Sequence, residues 1–194
     1  MSLRILGGNL KGLTLTVNDK VTKPTGVMLK RKIFDARQRL DGYRFIDLCA
    51  GSGSIGYEAL SRGASPVFLV ENNFIANKNI LNALNEIRKR HIEMVNFDEI
   101  SISRQSADQW LQENVKNLKI PKTIIFFDPP YDNYDLYRSV FDILKNSSYK
   151  GEFWVEYDTK GDARIIEIID ELFITIGAKR YQHGQHQICI FNFE

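Results

Sequence analysis

The stretch Arg44-Phe45-Ile46-Asp47-Leu48-Cys49-Ala50-Gly51-Ser52-Gly53-Ser54-Ile55-Gly56 constrains the fold of this chain more than any other. An apolar run ending in an acid, a tight glycine loop and then residues at helical spacing describe the strand, turn and helix start of a βαβ unit. Glycine serves where a backbone turns sharply or lies flat against a ligand, and Gly51, Gly53 and Gly56 stand where both are needed. The loop from Ala50 through Gly51, Ser52 and Gly53 is therefore expected to touch a cofactor. About twenty residues further on, the apolar run Pro66-Val67-Phe68-Leu69-Val70 ends in Glu71 and Asn72. A carboxylate at that place accepts hydrogen bonds from both hydroxyls of a ribose, so the expected ligand carries one.

The rest of the chain reads as one α/β domain over residues 1–194, divided into a front segment, 1–44, and a body, 45–194. Arg4 to Val17 alternates apolar and polar residues about Gly7-Gly8, the pattern of a small β-hairpin. Pro24 holds Lys23 extended and Thr25 caps the next element, a helix from Val27 to Leu40 with Lys30, Arg31, Lys32, Arg37 and Arg39 on its surface. Helices are expected at 54–61, stopped at Gly63, and at 73–89, with Ile75, Ile80, Leu81, Leu84 and Ile87 inward. Residues 91–99 fit a loop with short structure. A strand at 100–105 leads to a helix starting at Ser106-Ala107, a junction beside which an adenine edge can lie. The apolar run Thr123-Ile124-Ile125-Phe126-Phe127 reads as a central parallel strand, buried on both faces. A helix at 135–145, a strand at 152–157, a helix at 163–172 and an antiparallel pair at 173–181 and 186–193 complete a doubly wound, mostly parallel sheet of seven strands.

Composition narrows the class of partner. No apolar run approaches the length of a membrane span and the amino terminus lacks a signal-peptide block, so a cytoplasmic protein is expected. Cys49 and Cys189 lie in apolar runs without metal-ligand spacing, and the three histidines form no cluster, so reduced thiols and no metal are expected. Net charge is only +2, yet residues 1–44 hold ten Lys or Arg against the three acids Asp19, Asp35 and Asp41. A basic front on an acidic body suits a polyanion steered to one side, with the solvated helix face as the plain alternative.

The decisive signal is Asp128-Pro129-Pro130-Tyr131 at the end of the apolar strand. Two prolines forbid regular pairing and fix the backbone direction, which brings a carboxylate, the Pro129 carbonyl and the Tyr131 ring into one small space. That set suits a planar base bearing an exocyclic amine: the ring stacks and the two oxygens accept the amine's hydrogens. Such bonds align the nitrogen with a methyl donor and favour the positive charge that develops on attack. The plain reading is a helix-capping Asp in an ordinary turn. The glycine loop alone also fits an NAD-dependent oxidoreductase, but Asp-Pro-Pro-Tyr offers no role in hydride transfer.

Four features together, Arg4 to Gly12 as Arg-Ile-x-Gly-Gly-x-x-Lys-Gly, Lys23-Pro24-Thr25, Asp47 to Gly53 as Asp-x-x-Ala-Gly-Ser-Gly, and Asp128 to Tyr131, resemble the RsmD-type 16S ribosomal RNA guanine-N2 methyltransferases over nearly the full length. The resemblance implies a Rossmann-like class I methyltransferase fold, S-adenosylmethionine as cofactor and methyl transfer to the exocyclic amine of a guanine in small-subunit RNA, free or assembled with ribosomal proteins, by a monomer. Carried over by position, Asp47, Ala50, Gly51, Ser52 and Gly53 hold the methionine end. Glu71 and Asn72 hold the ribose, Ser106 and Ala107 the adenine edge, and Asp128, Pro129, Pro130 and Tyr131 the target base. Arg4, Lys11, Lys23, Thr25, Lys30, Arg31 and Lys32 are the candidate RNA contacts. Two departures stand out. The family usually has Asp or Asn where Ser106 stands, and an Asp-Arg-Val-Arg-Glu pattern where this chain has Val27-Met28-Leu29-Lys30-Arg31. They leave open a different RNA or DNA base amine, or an RNA-associated protein without catalysis.

Overall fold

A computed structural model describes residues 2–16, 27–91, 93, 96–120 and 122–194. Lys23, Pro24 and Thr25 lie outside them. The chain runs through β1 (Ser2–Arg4), β2 (Thr14–Thr16), α1 (Val27–Asp35), β3 (Arg44–Leu48), α2 (Ser54–Ser61), β4 (Val67–Val70), α3 (Phe74–His91), β5 (Ile100–Ser103), α4 (Ala107–Asn114), β6 (Thr123–Phe127), α5 (Tyr134–Lys145), β7 (Gly151–Asp158), α6 (Ala163–Ile176), β8 (Ala178–His183) and β9 (His186–Phe193). β1 and β2 form the expected antiparallel hairpin. The other seven strands make one sheet in the order β5-β4-β3-β6-β7-β9-β8, parallel except where β9 pairs with β7 and β8. Because β3 lies between β4 and β6, the chain reverses its direction of travel across the sheet there, and the carboxyl ends of those strands are where open α/β sheets bind ligands.

Side chains of the strands alternate between two buried layers. Phe45, Ile124, Phe126, Trp154 and Ile188 face one layer with Leu29, Ile33 and Phe34 of α1, Ile55 and Leu60 of α2, Ile80 and Ile87 of α3, and Leu3 and Leu15 of the hairpin. Ile46, Leu48, Ile125, Phe127, Phe153 and Val155 face the other, with Trp110 and Leu111 of α4, Val140 and Phe141 of α5, and Ile165 and Ile169 of α6. Burial of both faces explains the unbroken apolar run of β6. Among the described residues no helix is long and apolar enough to cross a membrane.

Four expectations need correction. The first helix ends at Asp35 rather than Leu40. There the Arg62 guanidinium draws off the carbonyls of Phe34 at 3.1 Å and Gln38 at 3.3 Å, and the Leu40 amide donates to the Arg62 carbonyl at 2.8 Å. The Phe173–Ile176 run extends α6 instead of opening a strand, and Gly177, at φ 68°, makes the break before β8. In that run the β-branched residues Ile174, Thr175 and Ile176 continue a helix already anchored by Ile165, Ile168 and Ile169. On α3 the inward stripe is Ala76, Ile80, Ala83, Leu84 and Ile87, which leaves Ile75 and Leu81 exposed. Small alanines let that stripe lie close to the sheet. Finally, Lys30 is not on the surface: it is 3% exposed, and its Nζ donates to the Ser54 carbonyl at 2.9 Å and the Ser54 hydroxyl at 3.0 Å and pairs with Glu58 at 3.2 Å. Apolar Leu29, Ile33 and Phe34 give this helix an inward face, and the ammonium goes in beside it because Glu58 is there to receive it.

Candidate active site

The site is built on the carboxyl ends of β3, β4, β6 and β7. β3 turns out of the sheet through Cys49, at φ 63°, and Gly51, at φ 56°, and Gly53, at φ 76°, opens α2. Gly56 serves packing: a Cβ there would collide with Leu69 on β4. Asp47 is 1% exposed and accepts from the Gly56 amide at 2.8 Å, tying β3 to the first turn of α2. Burial, opposed by that amide and reinforced by Asp128 and Glu71, pushes its carboxyl up to about 8. Asp47 thus braces the loop from beneath through the Gly56 amide. Ala50 and Ser52 are buried in the loop, and Gly51 is half-buried.

Glu71 stands at the end of β4 and reaches across to that loop. One carboxylate oxygen accepts from the Gly51 amide at 2.7 Å and the other from the Asn73 amide at 2.8 Å, so glycine loop, β4 and the start of α3 meet at one half-buried carboxylate. Asn72 beside it is exposed. Ser106 is the N-cap residue of α4 but its side chain makes no cap hydrogen bond, and Ala107 behind it is buried. The residues carried over to the methionine end, the ribose and the adenine edge thus follow one another along the ends of β3, β4 and β5.

β6 supplies the other half. Its register with β3 pairs Asp47 with Phe126 and Leu48 with Phe127, so the next residue, half-buried Asp128, emerges directly beside the turn of the glycine loop. Pro129 is buried and Pro130 exposed. Asn133 then starts α5, its side chain accepting from the Leu136 amide at 3.2 Å. Helix capping falls to Asn133, which removes the plain reading of Asp128 as a cap. Tyr131 is half-buried, its ring 5.3 Å from that of His186, and its hydroxyl donates to Glu156 at 3.0 Å. Burial, followed by Asp128 and Glu156, pushes the Tyr131 phenol far above its usual range.

Glu156, His186, Glu58 and Arg62 are absent from the sequence-based site. The available signal for Glu156 is a carboxylate inside the apolar run Phe153-Trp154-Val155 and Tyr157. Of the candidate RNA contacts, Arg4, Lys11, Arg31 and Lys32 are exposed, and the Lys32 ammonium donates to the Gln182 carbonyl at 2.6 Å. Lys30 is removed from that surface by its burial, and Lys23 and Thr25 lie outside the described residues.

The family model described as Conserved hypothetical protein 95 matches residues 3–192. YlbH of Bacillus subtilis (strain 168) is 32% identical over 97% of this chain and 98% of its own. The protein named Ribosomal RNA small subunit methyltransferase D in Buchnera aphidicola subsp. Acyrthosiphon pisum is 31% identical over 80% of this chain and 78% of its own. Among solved structures, yhhF from Escherichia coli superposes with a TM-score of 0.74 over 100% of this chain and 99% of its own, at 21% identity. That last likeness establishes the fold.

Proposed function

Since the chain belongs to the RsmD-type methyltransferase family, whose model is the one described as Conserved hypothetical protein 95, we propose that it moves the methyl group of S-adenosylmethionine to the exocyclic N2 amine of a guanine in small-subunit ribosomal RNA. The observation that carries this reading is the β3–β6 register, which sets Asp128 beside the turn of the glycine loop. An acceptor for an amine and a loop for a sulfonium donor lie next to each other at a strand-order reversal.

The residues present fit the cofactor. Glu71 is an acceptor-only group, half open, at the place where ribose hydroxyls donate, and Gly51 and Gly53 hold backbone conformations that side chains resist. Asp47, Ala50, Gly51, Ser52 and Gly53 hold the methionine end, Glu71 and Asn72 the ribose, and Ser106 and Ala107 the adenine edge. When bound, S-adenosylmethionine supplies an electrophilic methyl group. Asp128 and the Pro129 carbonyl accept the amine's two hydrogens, and the Tyr131 ring stacks on the base. These contacts aim the nitrogen lone pair at the methyl carbon. They also stabilise the positive charge that appears on nitrogen as the new bond forms and the sulfur–carbon bond breaks. The excess proton then leaves nitrogen by way of Asp128, which is partly open to solvent.

The test is labelled methyl transfer to small-subunit RNA, followed by digestion and identification of the product nucleoside. N2-methylguanosine is expected, and label in a different base would overturn the guanine assignment. Glu71→Ala should weaken cofactor binding by about 1–3 kcal/mol through loss of charge-assisted bonds to ribose. Isothermal titration reads this directly, and an unchanged affinity would remove Glu71 from the ribose site.

The exposed basic residues give a separate expectation for RNA. Arg31→Glu with Lys32→Glu, and independently Arg4→Glu with Lys11→Glu, should each lower the slope of log affinity against log salt by about one to two units, because each lost phosphate contact no longer releases counterions. Cofactor affinity should stay unchanged. Salt titrations with slopes equal to wild type for both pairs would place the RNA surface elsewhere.

A further inference from the structure

Glu156 is 2% exposed, near the carboxyl end of β7. One of its oxygens accepts the Tyr131 hydroxyl at 3.0 Å, and among the described residues the other, Oε2, has no hydrogen-bond partner. The parallel register pairs Phe127 with Val155, so Asp128 and Glu156 are the next residues on adjacent strands and project to the same side of the sheet. Two carboxylates in that relation repel each other, and charge settles on the one nearer water. Asp128 is half-buried and Glu156 nearly sealed, so the proton belongs on Glu156. Around Glu156 stand Asp128 and Tyr131 from the loop after β6, Tyr137 of α5, whose hydroxyl bonds the Glu156 carbonyl at 2.7 Å, and Asp158 further along β7. His186 of β9 reaches this group through the Tyr131 ring. Burial together with Asp128 pushes the Glu156 carboxyl up to about 9.

We propose that Glu156 is a positioning residue for methyl transfer: a neutral carboxyl that fixes the Tyr131 ring through its hydroxyl and leaves the working negative charge to Asp128. This rests on the methyl-transfer reading above and adds to it a residue that touches neither cofactor nor base. Glutamine reproduces a neutral acceptor of the same length, whereas leucine removes the acceptor and frees the ring. With methyl transfer to RNA as the assay, Glu156→Gln should hold kcat within about threefold of wild type. Glu156→Leu should lower kcat by about tenfold or more, with S-adenosylmethionine affinity unchanged. Tyr131→Phe breaks the same hydrogen bond from the other side, so combining it with Glu156→Leu should add little to the larger single loss.

Infrared spectroscopy reads the protonation state without any turnover. The difference between wild type and Glu156→Gln at pH 7 should contain the carbonyl band of a protonated carboxylic acid. A Gln variant as impaired as Leu, additive losses in the double variant, or a difference spectrum showing only carboxylate bands would each overturn the proposal. If Leu does not fold, the Gln variant, Tyr131→Phe and the infrared comparison still decide it. Wild-type protein that transfers no methyl to RNA would sink the methyl-transfer reading instead, and the infrared result would still report on Glu156.

Discussion

Asp128→Ala is expected to lower methyl transfer to RNA by at least a factor of about 10²–10³, the usual loss on removing one preorganised group that faces developing charge. Cofactor affinity should remain within about tenfold, because the role proposed for the carboxylate is toward the base. Asp128→Asn should also be severely impaired, since its amide oxygen can still accept one hydrogen but carries no negative charge to offset the positive charge that develops on nitrogen and cannot take up the excess proton. Asp128 raises the carboxyl groups of Asp47 and Glu156 and the phenol of Tyr131. Thermal melts of the variants beside wild type separate lost chemistry from lost folding. Isothermal titration, thermal melts and an RNA methylation assay on one preparation test all three statements. Near-normal turnover by Asp128→Ala would exclude the carboxylate from the mechanism.

The second large effect concerns stability. Glu58 is fully buried on α2, and its carboxylate accepts from Arg62 Nε at 2.9 Å, faces Lys30 Nζ at 3.2 Å and takes the Leu6 amide at 2.8 Å. Burial pulls the Lys30 ammonium below its usual range, and Glu58 opposes that shift. Glu58→Ala strands two buried cations and an amide at once. Breaking a buried ion pair from one side costs about 3–5 kcal/mol, a large share of the roughly 5–15 kcal/mol that holds a domain together. Lys30→Met should cost less, because Glu58 keeps Arg62 and the Leu6 amide. Urea titration measures both variants. A Glu58→Ala midpoint equal to wild type would show that this group is not a structural keystone.

Most of the fold is legible in the sequence because its signals are periodic. The apolar run at 123–127, the glycine loop at 51–53 and the alternation about Gly7-Gly8 each admit one local structure, and all three form. The differences share a physical cause, tertiary partners outweighing local preference. The end of α1 is set by Arg62, which lies beyond β3 and α2 and is invisible to any local window. Strand propensity in Phe173-Ile174-Thr175-Ile176 yields to a helix whose inner face is already buried. Lys30 reads as a surface cation as long as its charge is counted without its partner, Glu58. The site divides in the same way. Asp128-Pro129-Pro130-Tyr131 announces itself through proline stiffness, whereas Glu156 gains meaning only once register places it beside Asp128.

The position of β3 between β4 and β6 also sets an order of events while the polypeptide is being synthesised. The glycine loop and Glu71 are made well before Asp128, yet until β6 emerges one edge of β3 has no strand to pair with. β8 waits in the same way, since β9 is its sheet neighbour and inserts between it and β7. A nascent chain stalled before β6 therefore carries an open, apolar strand edge, the kind of surface that chaperones cover and that otherwise pairs with other chains.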